Sequence, residues 1–107
     1  MSNQQLPAVV VVIFPTPQEI DRAAMRALIE EAGPKYTDIP GLRRKYFLAG
    51  EGVGGGVYEW DSRQNAEAFY DETWYGEVKK RFGAVPQVDI YDAAGIADGV
   101  GHQLEVF

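Results

Sequence analysis

The sequence predicts an α+β domain whose elements follow the order strand–helix–strand–strand–helix–strand. Three observations indicate this order. A continuous run of β-branched residues lies near the start of the chain, two segments have helical periodicity, and the other apolar segments are short and bounded by glycine or proline. Since this order is that of the ferredoxin-like fold, we expect a four-stranded antiparallel sheet with both helices on one face and strands one and three at its centre.

The first strand and the first helix come from residues 8–33. Residues 8–14 form an uninterrupted apolar run, which is typical of a strand buried on both faces. The next helix is predicted to begin at residues 16–19, where Thr16 caps it and Glu19 completes a capping box. It ends at Gly33, and its apolar positions share one face: Ile20, Ala24, Met25, Leu28, Ile29 and Ala32.

The second and third strands are predicted as a hairpin that follows a loop over residues 36–41. The strands cover residues 42–49 and 54–60 and are joined by a turn over residues 50–52. Strict alternation along the second strand predicts one face with Arg43, Lys45 and Phe47 and an opposite face with Leu42, Arg44, Tyr46 and Leu48.

The second helix is predicted to begin after a cap at Asp61 or Ser62 and to end at Gly83, with a break at Gly76. Residues 87–91 follow as the fourth strand. Residues 93–101 are small and glycine-rich, which indicates a linker, and residues 103–107 alternate as an additional strand would. We therefore predict one domain over residues 1–107 with a tail over residues 93–107.

Composition limits the classes of function. The 107 residues include no cysteine, which excludes disulfides, thiolate nucleophiles and zinc–cysteine sites. The formal net charge of −6 disfavours binding to nucleic acid or to an acidic membrane surface. The N-terminal apolar run is too short to span a bilayer and follows no basic segment, so we expect a cytoplasmic protein.

The apolar character of both faces of the first strand predicts the assembly. One face meets the helices, whereas the other would be exposed to water in a lone subunit. Packing that face against a second copy removes it from water. We therefore expect a two-fold homodimer whose sheets face each other and share a ligand cavity.

Two groups of residues carry a resemblance to a known family. They are Pro40-Gly41-Leu42 with Lys45, and Gly55-Gly56-x-Tyr58-x-Trp60 followed by a capped helix. Over residues 14–94 the chain resembles the YdhR-type mono-oxygenases of the dimeric α/β-barrel superfamily, which also contains antibiotic-biosynthesis mono-oxygenases. The resemblance implies a homodimer, a small aromatic or hydrophobic substrate, and use of molecular oxygen with neither metal nor flavin.

Candidate site residues follow from these patterns. We predict Lys45 and Tyr58 as catalytic residues, with Lys45 stabilising an enolate or phenolate oxygen. The predicted substrate-binding residues are Phe14, Arg43, Trp60, Tyr70, Trp74 and Tyr91. The alternatives are a lysine that protects the edge of the sheet and aromatic residues that only fill the core. No cofactor and no metal are predicted.

Three functions are compatible with the sequence. The first is a cofactor-independent mono-oxygenase acting on a small aromatic or quinone-like compound. The second is a non-catalytic dimer that binds a small molecule or is associated with stress, since no Ser–His or His–carboxylate set is evident. The third is an RNA-recognition domain, which shares the topology, although the acidic charge and the expected burial of the sheet face disfavour it.

Overall fold

The computed structural model of the chain describes residues 6–16 and 21–107. A 3₁₀ helix, Gly33–Thr37, follows the first α-helix. The other elements, in chain order, are β1 (Ala8–Pro15), α1 (Arg22–Ala32), β2 (Leu42–Gly50), β3 (Val53–Trp60), α2 (Arg63–Phe69), α3 (Glu72–Phe82), β4 (Gln87–Asp92), β5 (Gly95–Asp98) and β6 (Gln103–Val106). Within the described ranges, no helix has the length and apolar character needed to cross a bilayer.

The predicted ferredoxin-like fold is confirmed. The main sheet has the order β2-β3-β1-β4 with all neighbours antiparallel, so the two central strands are β1 and β3. Burial alternates along β1. Ala8, Val10, Val12 and Phe14 are buried on the face that the helices cover, whereas Val9, Val11 and Ile13 are half-buried on the opposite, open face.

The start of the first helix was predicted too early. The described helix begins at Arg22, and the Asp21 carboxylate accepts a hydrogen bond of 2.7 Å from the Ala24 N–H. Thr16 instead donates its backbone N–H to the Gly52 carbonyl at 2.9 Å. The predicted capping box depended on Glu19 and the first apolar position was Ile20, and both residues lie outside the described ranges.

The second predicted helix is two helices, and the break is at Tyr70 rather than Gly76. Ser62 caps α2 through its hydroxyl, which accepts from the Asn65 N–H at 3.2 Å. Asp71 caps α3 and accepts from the Trp74 N–H at 2.9 Å, so a second N-terminus starts there. Gly76 lies inside α3, which ends as predicted at Gly83 in the left-handed conformation.

The predicted linker in the tail is also wrong, because residues 95–98 form β5. This strand pairs with β6 in a separate two-stranded sheet. The additional strand predicted over residues 103–107 is present as β6. The hairpin leaves Val100, Leu104 and Val106 strongly exposed, at 94%, 73% and 79% of their maximal accessibility.

The core is an aromatic cluster between the sheet and α2–α3. Trp60 is 1% exposed, and its indole N–H donates to the Tyr70 hydroxyl at 3.1 Å. Trp74 contacts the Tyr70 ring edge-on with centroids 4.8 Å apart. This hydrogen bond gives the indole N–H of Trp60 an acceptor and the Tyr70 oxygen a donor, so Trp60 is buried without an unpaired N–H.

Two glycines provide a matched test of the packing between β1 and β3. Gly55 has a positive φ of 155°, and a Cβ there would overlap the Val12 carbonyl. A Cβ on Gly76 would meet nothing within 4 Å. We expect Gly55→Ala to lower the free energy of unfolding by more than about 1 kcal/mol and Gly76→Ala to raise it by about 0.5–1 kcal/mol, measured by urea denaturation. Equal effects of the two substitutions would contradict the close approach of the central strands.

Candidate functional site

A cavity of about 510 Å³ lies between the helix-covered face of the sheet and the helices α1 and α3. Its walls are mainly apolar and include Val12, Phe14, Met25, Leu28, Phe47 and Phe82. Phe14 and Phe82 stack with their centroids 4.3 Å apart and join the sheet to α3. The cavity lies between the sheet and the helices of one subunit, so the walls described here come from a single chain. A cavity between the facing sheets of two subunits stays a prediction.

Small residues on β3 leave room for this cavity. Gly54 and Gly55 line it and contribute no side chain. A Cβ on Gly56 would lie 3.0 Å from Cε of Lys45 and 3.1 Å from the Tyr58 ring. Any larger residue at position 56 would therefore press on the lysine. The glycine run therefore makes room both for a neighbouring strand and for a charged side chain.

The Lys45 side chain is held among three aromatic rings. Its Nζ lies 3.6 Å from the Tyr36 ring centroid, 4.0 Å from that of Phe47 and 4.7 Å from that of Tyr58. Ring faces attract an ammonium electrostatically, and the effect is stronger when water is excluded. Among the five ion pairs between described residues, none includes Lys45. The charged form of Lys45 is thus supported by ring faces and not by a carboxylate of the described chain.

The protonation of Lys45 is shifted by its surroundings. Burial, followed by the positive charge of Lys35, lowers the pKa of Lys45 from 10.5 to about 7. The three rings act in the opposite direction, because they favour the ammonium. Near neutral pH the amine and the ammonium are both populated, and a group with that property can accept a proton and return it.

Tyr58 is suited to a different role. Burial raises the pKa of its hydroxyl far above the usual value, and the neighbouring Tyr36 and Tyr70 raise it too. Tyr58 also shares a side-chain hydrogen bond with Tyr36. The hydroxyl therefore stays protonated across the physiological range, which suits a hydrogen-bond donor and excludes a role as a base near neutral pH.

The residues predicted to bind substrate are divided by the structure into three groups. Phe14 and Trp74 line the cavity beside Lys45 and Tyr58. Trp60 and Tyr70 do not line it. They are hydrogen-bonded to each other in the aromatic core, where they support the Tyr58 ring. Since Tyr58 and Trp60 are on the helix-covered face, they are not available to stack nucleic-acid bases on the open face of the sheet.

Arg43 and Tyr91 lie away from the cavity. A β-bulge between Leu42 and Arg44 makes Arg43 the extra residue, and its guanidinium pairs with Glu59 at 3.8 Å. The strict alternation predicted for β2 is therefore wrong at its start. Tyr91 pairs with Val9 on the open face and is 57% exposed.

Several residues of the site were not predicted from the sequence. Tyr36 was assigned to a loop, yet it lies in the 3₁₀ helix and places the nearest ring over Lys45. Lys35, Lys80 and Arg81 also line the cavity. No local pattern marks these residues, because their position depends on how α1 and α3 lie on the sheet.

Comparisons with known proteins agree with this architecture. No protein-family model and no curated protein matches the chain. Among solved structures, the chain is similar to a monooxygenase from the gene ActVA-Orf6 of Streptomyces coelicolor, solved in complex with the ligand nanaomycin D, with a TM-score of 0.63, 16% identity, and coverage of 85% of this chain and 90% of that one. It is also similar to the NE2512 protein of unknown function from Nitrosomonas europaea, with a TM-score of 0.59, 15% identity, and coverage of 92% and 100%. At these identities the likeness shows a shared fold, and membership of the YdhR-type family stays a prediction.

Within residues 6–16 and 21–107, no group of three or more histidine, cysteine, aspartate or glutamate side chains is placed to hold a metal ion. The one histidine, His102, lies in the exposed turn between β5 and β6.

The lowered pKa of Lys45 predicts a pH dependence of stability. Above pH 7 the folded chain has largely released a proton that the unfolded chain keeps up to its higher pKa, so the folded state gains stability as the pH rises. Between pH 7 and 9 we expect the free energy of unfolding to rise by about 2 kcal/mol more in the wild type than in Lys45→Met. Urea denaturation across this range measures it, with Lys79→Met, at an exposed site on α3, as the control. Parallel curves for the wild type and Lys45→Met would contradict the burial of a titrating amine.

Proposed function

We propose that the chain is a cofactor-independent mono-oxygenase that acts on a small aromatic or quinone-like compound. The observation that carries the proposal is the half-buried Lys45 amine, whose pKa is lowered to about 7 by its surroundings and which faces an apolar cavity large enough for a few fused rings. The fold shared with a monooxygenase supports it.

Lys45 supplies the acid–base chemistry in this proposal. Its neutral amine takes the proton of a phenolic hydroxyl, which leaves an electron-rich phenolate beside the new ammonium. The rings of Tyr36, Phe47 and Tyr58 then surround the ion pair that the Lys45 ammonium forms with the phenolate. A phenolate can donate electrons to molecular oxygen, whereas the neutral phenol does so poorly.

The net reaction balances with oxygen as the sole oxidant. A ring CH₂ activated by the phenolate reacts with one O₂. One oxygen atom becomes the carbonyl of the product, and the other leaves as water with the two hydrogens of that carbon. The Lys45 ammonium returns its proton to the phenolate oxygen, so the enzyme ends in its starting state. The apolar walls at Val12, Phe14 and Phe82 exclude bulk water from the reactive intermediate.

A non-catalytic binding protein is the second candidate. Among the described residues that line the cavity, Glu77 is the one carboxylate, and it is exposed. Tyr58 stays protonated, so among the described lining residues that are not exposed, Lys45 is the one group able to act as a base near neutral pH. If a ligand stabilises the protein against heat and is recovered chemically unchanged, this second candidate is favoured.

Oxygen consumption tests the first candidate. A panel of phenols with an adjacent ring CH₂, such as hydroxyanthrones, is incubated with the protein, and oxygen uptake is followed with an electrode. We expect a rate that rises through about pH 7 as Lys45 loses its proton. We expect Lys45→Met to lower kcat/KM by about 10²–10⁴-fold, as loss of an acid–base group does.

Lys45→Arg separates proton transfer from simple charge stabilisation. Arginine keeps the positive charge but does not accept a proton at these pH values. A variant as slow as Lys45→Met supports a role as a base, and a rate like that of the wild type would rule that role out. Lys79→Met, at an exposed lysine outside the cavity, should react at the wild-type rate.

We also propose that two copies assemble through the open face of the sheet. In one subunit this face leaves Tyr46 and Tyr91 exposed at 55% and 57%. The β5–β6 hairpin adds Leu104 and Val106, and a lone two-stranded hairpin is marginally stable in water. A second copy would cover the sheet face and the hairpin together.

The mass of the protein in solution tests the proposed dimer. Light scattering at micromolar concentration should return twice the 11.9 kDa mass of one chain. Tyr46→Glu combined with Tyr91→Glu should halve that mass, because buried unpaired carboxylates disfavour the interface. Val85→Glu, at an exposed site outside the sheet, should leave the mass unchanged. A wild type with the mass of one chain would disprove the dimer.

A further inference from the structure

The charges that line the cavity are unbalanced. Four of the described lining residues are cationic, namely Lys35, Lys45, Lys80 and Arg81, against the single carboxylate of Glu77. The whole chain has a net charge of −6, so this excess of positive charge is opposite to the character of the molecule. Of the ion pairs that the described residues form, none includes any of the four cations.

The cations occupy two different depths. Lys35, Lys80 and Arg81 line the cavity yet are exposed, which places them where it opens to solvent. Lys45 is half-buried among the rings. Lys35 and Lys45 both lie near Tyr36, with Nζ atoms 5.2 Å and 3.6 Å from its ring centroid. Their mutual repulsion contributes to the lowered pKa of Lys45.

Such an arrangement has an excess of positive charge, because Glu77 is the one described carboxylate in the lining. An anion near the opening would interact with three cations that form no ion pair with a described carboxylate, while an apolar body would fill the interior. Because the walls are aromatic and aliphatic, the anion must be attached to a ring system and not be a free inorganic ion. A carboxylate suits the planar guanidinium of Arg81 in particular.

We infer that the ligand of this cavity is an aromatic compound with a carboxylate, whose rings lie against the Lys45 cage and whose carboxylate meets Lys35, Lys80 and Arg81 at the opening. This deepens the proposed function, since it names the substrate class of the same site. It also gives selectivity: the acidic surface repels anions in general, and the cations at the opening attract those that also carry an apolar body.

A matched pair of ligands tests this inference. Anthraquinone-2-carboxylate and anthraquinone-2-carboxamide have nearly the same shape and differ in charge. Binding is followed by quenching of tryptophan fluorescence, since Trp74 lines the cavity. We expect the carboxylate to bind at least tenfold more tightly at low salt, with the difference shrinking as salt rises, because the cations at the opening are solvated.

Charge reversal on α3 tests the cations at the opening, with a neighbouring lysine as the control. Lys80→Glu and Arg81→Glu should weaken binding of the carboxylate at least tenfold and leave binding of the carboxamide unchanged. Lys79→Glu makes the same change of net charge one residue away, outside the cavity lining, and should affect neither ligand. Lys80→Gln should give an intermediate loss, which separates removal of a contact from repulsion.

The outcomes distinguish this inference from the proposed function. Tight carboxylate binding without oxygen uptake would support the inference and contradict the oxygenase. Oxygen uptake that is equally efficient with neutral and carboxylated substrates would support the oxygenase and overturn the inference. Equal binding of the two anthraquinones, no binding of either, or an effect of Lys79→Glu as large as that of Lys80→Glu would also overturn it.

Discussion

The close pairing of β1 with β3 is the constraint on which the site depends. Gly55 brings its backbone against the Val12 carbonyl, Gly54 lies beside the Phe14 ring, and Gly56 leaves room for the Lys45 stem. Side chains at these positions would fill the cavity or push the strands apart. The same three residues thus allow a tightly paired sheet and an unfilled volume above it, since absent side chains remove atoms from both places.

Placing the half-buried Lys45 amine among apolar side chains costs free energy. An ammonium without a carboxylate partner is unfavourable in an apolar site, and the lowered pKa of Lys45 expresses that cost. The faces of Tyr36, Phe47 and Tyr58 offset part of it. A purely structural core would be more stable with methionine at this position. A lysine at this position, in place of an apolar residue, is explained if its amine takes part in chemistry or binding.

The two faces of the sheet differ in what covers them. The helix-covered face contains the cavity and the aromatic core, in which Trp60 and Tyr70 are satisfied by each other. The open face has half-buried Val9, Val11 and Ile13, with exposed Tyr46 and Tyr91 near its edges. Because successive residues of a strand point to opposite faces, the one apolar run of β1 supplies apolar side chains to both faces. The described walls of the cavity come from a single chain.

The sequence by itself determined the order of the elements, the central position of β1 and β3, a helix cap at Asp61 or Ser62 and the end of α3 at Gly83. It also indicated Lys45 and Tyr58 as candidate site residues. These depend on local patterns: periodicity, capping residues and glycine. It did not determine the start of α1, the break at Tyr70 or the β5 strand, where a competing cap or a partner strand outweighed local propensity.

Only the tertiary structure decided which side chains meet. The bulge after Leu42 turned Arg43 away from Lys45, and packing of the helices placed Tyr36, Lys35, Lys80 and Arg81 around the cavity. Residues far apart in the chain form the cage and the cationic opening. Their proximity follows from how the helices pack on the sheet. This packing is a property of the whole fold, so the spacing of residues along the chain does not predict it.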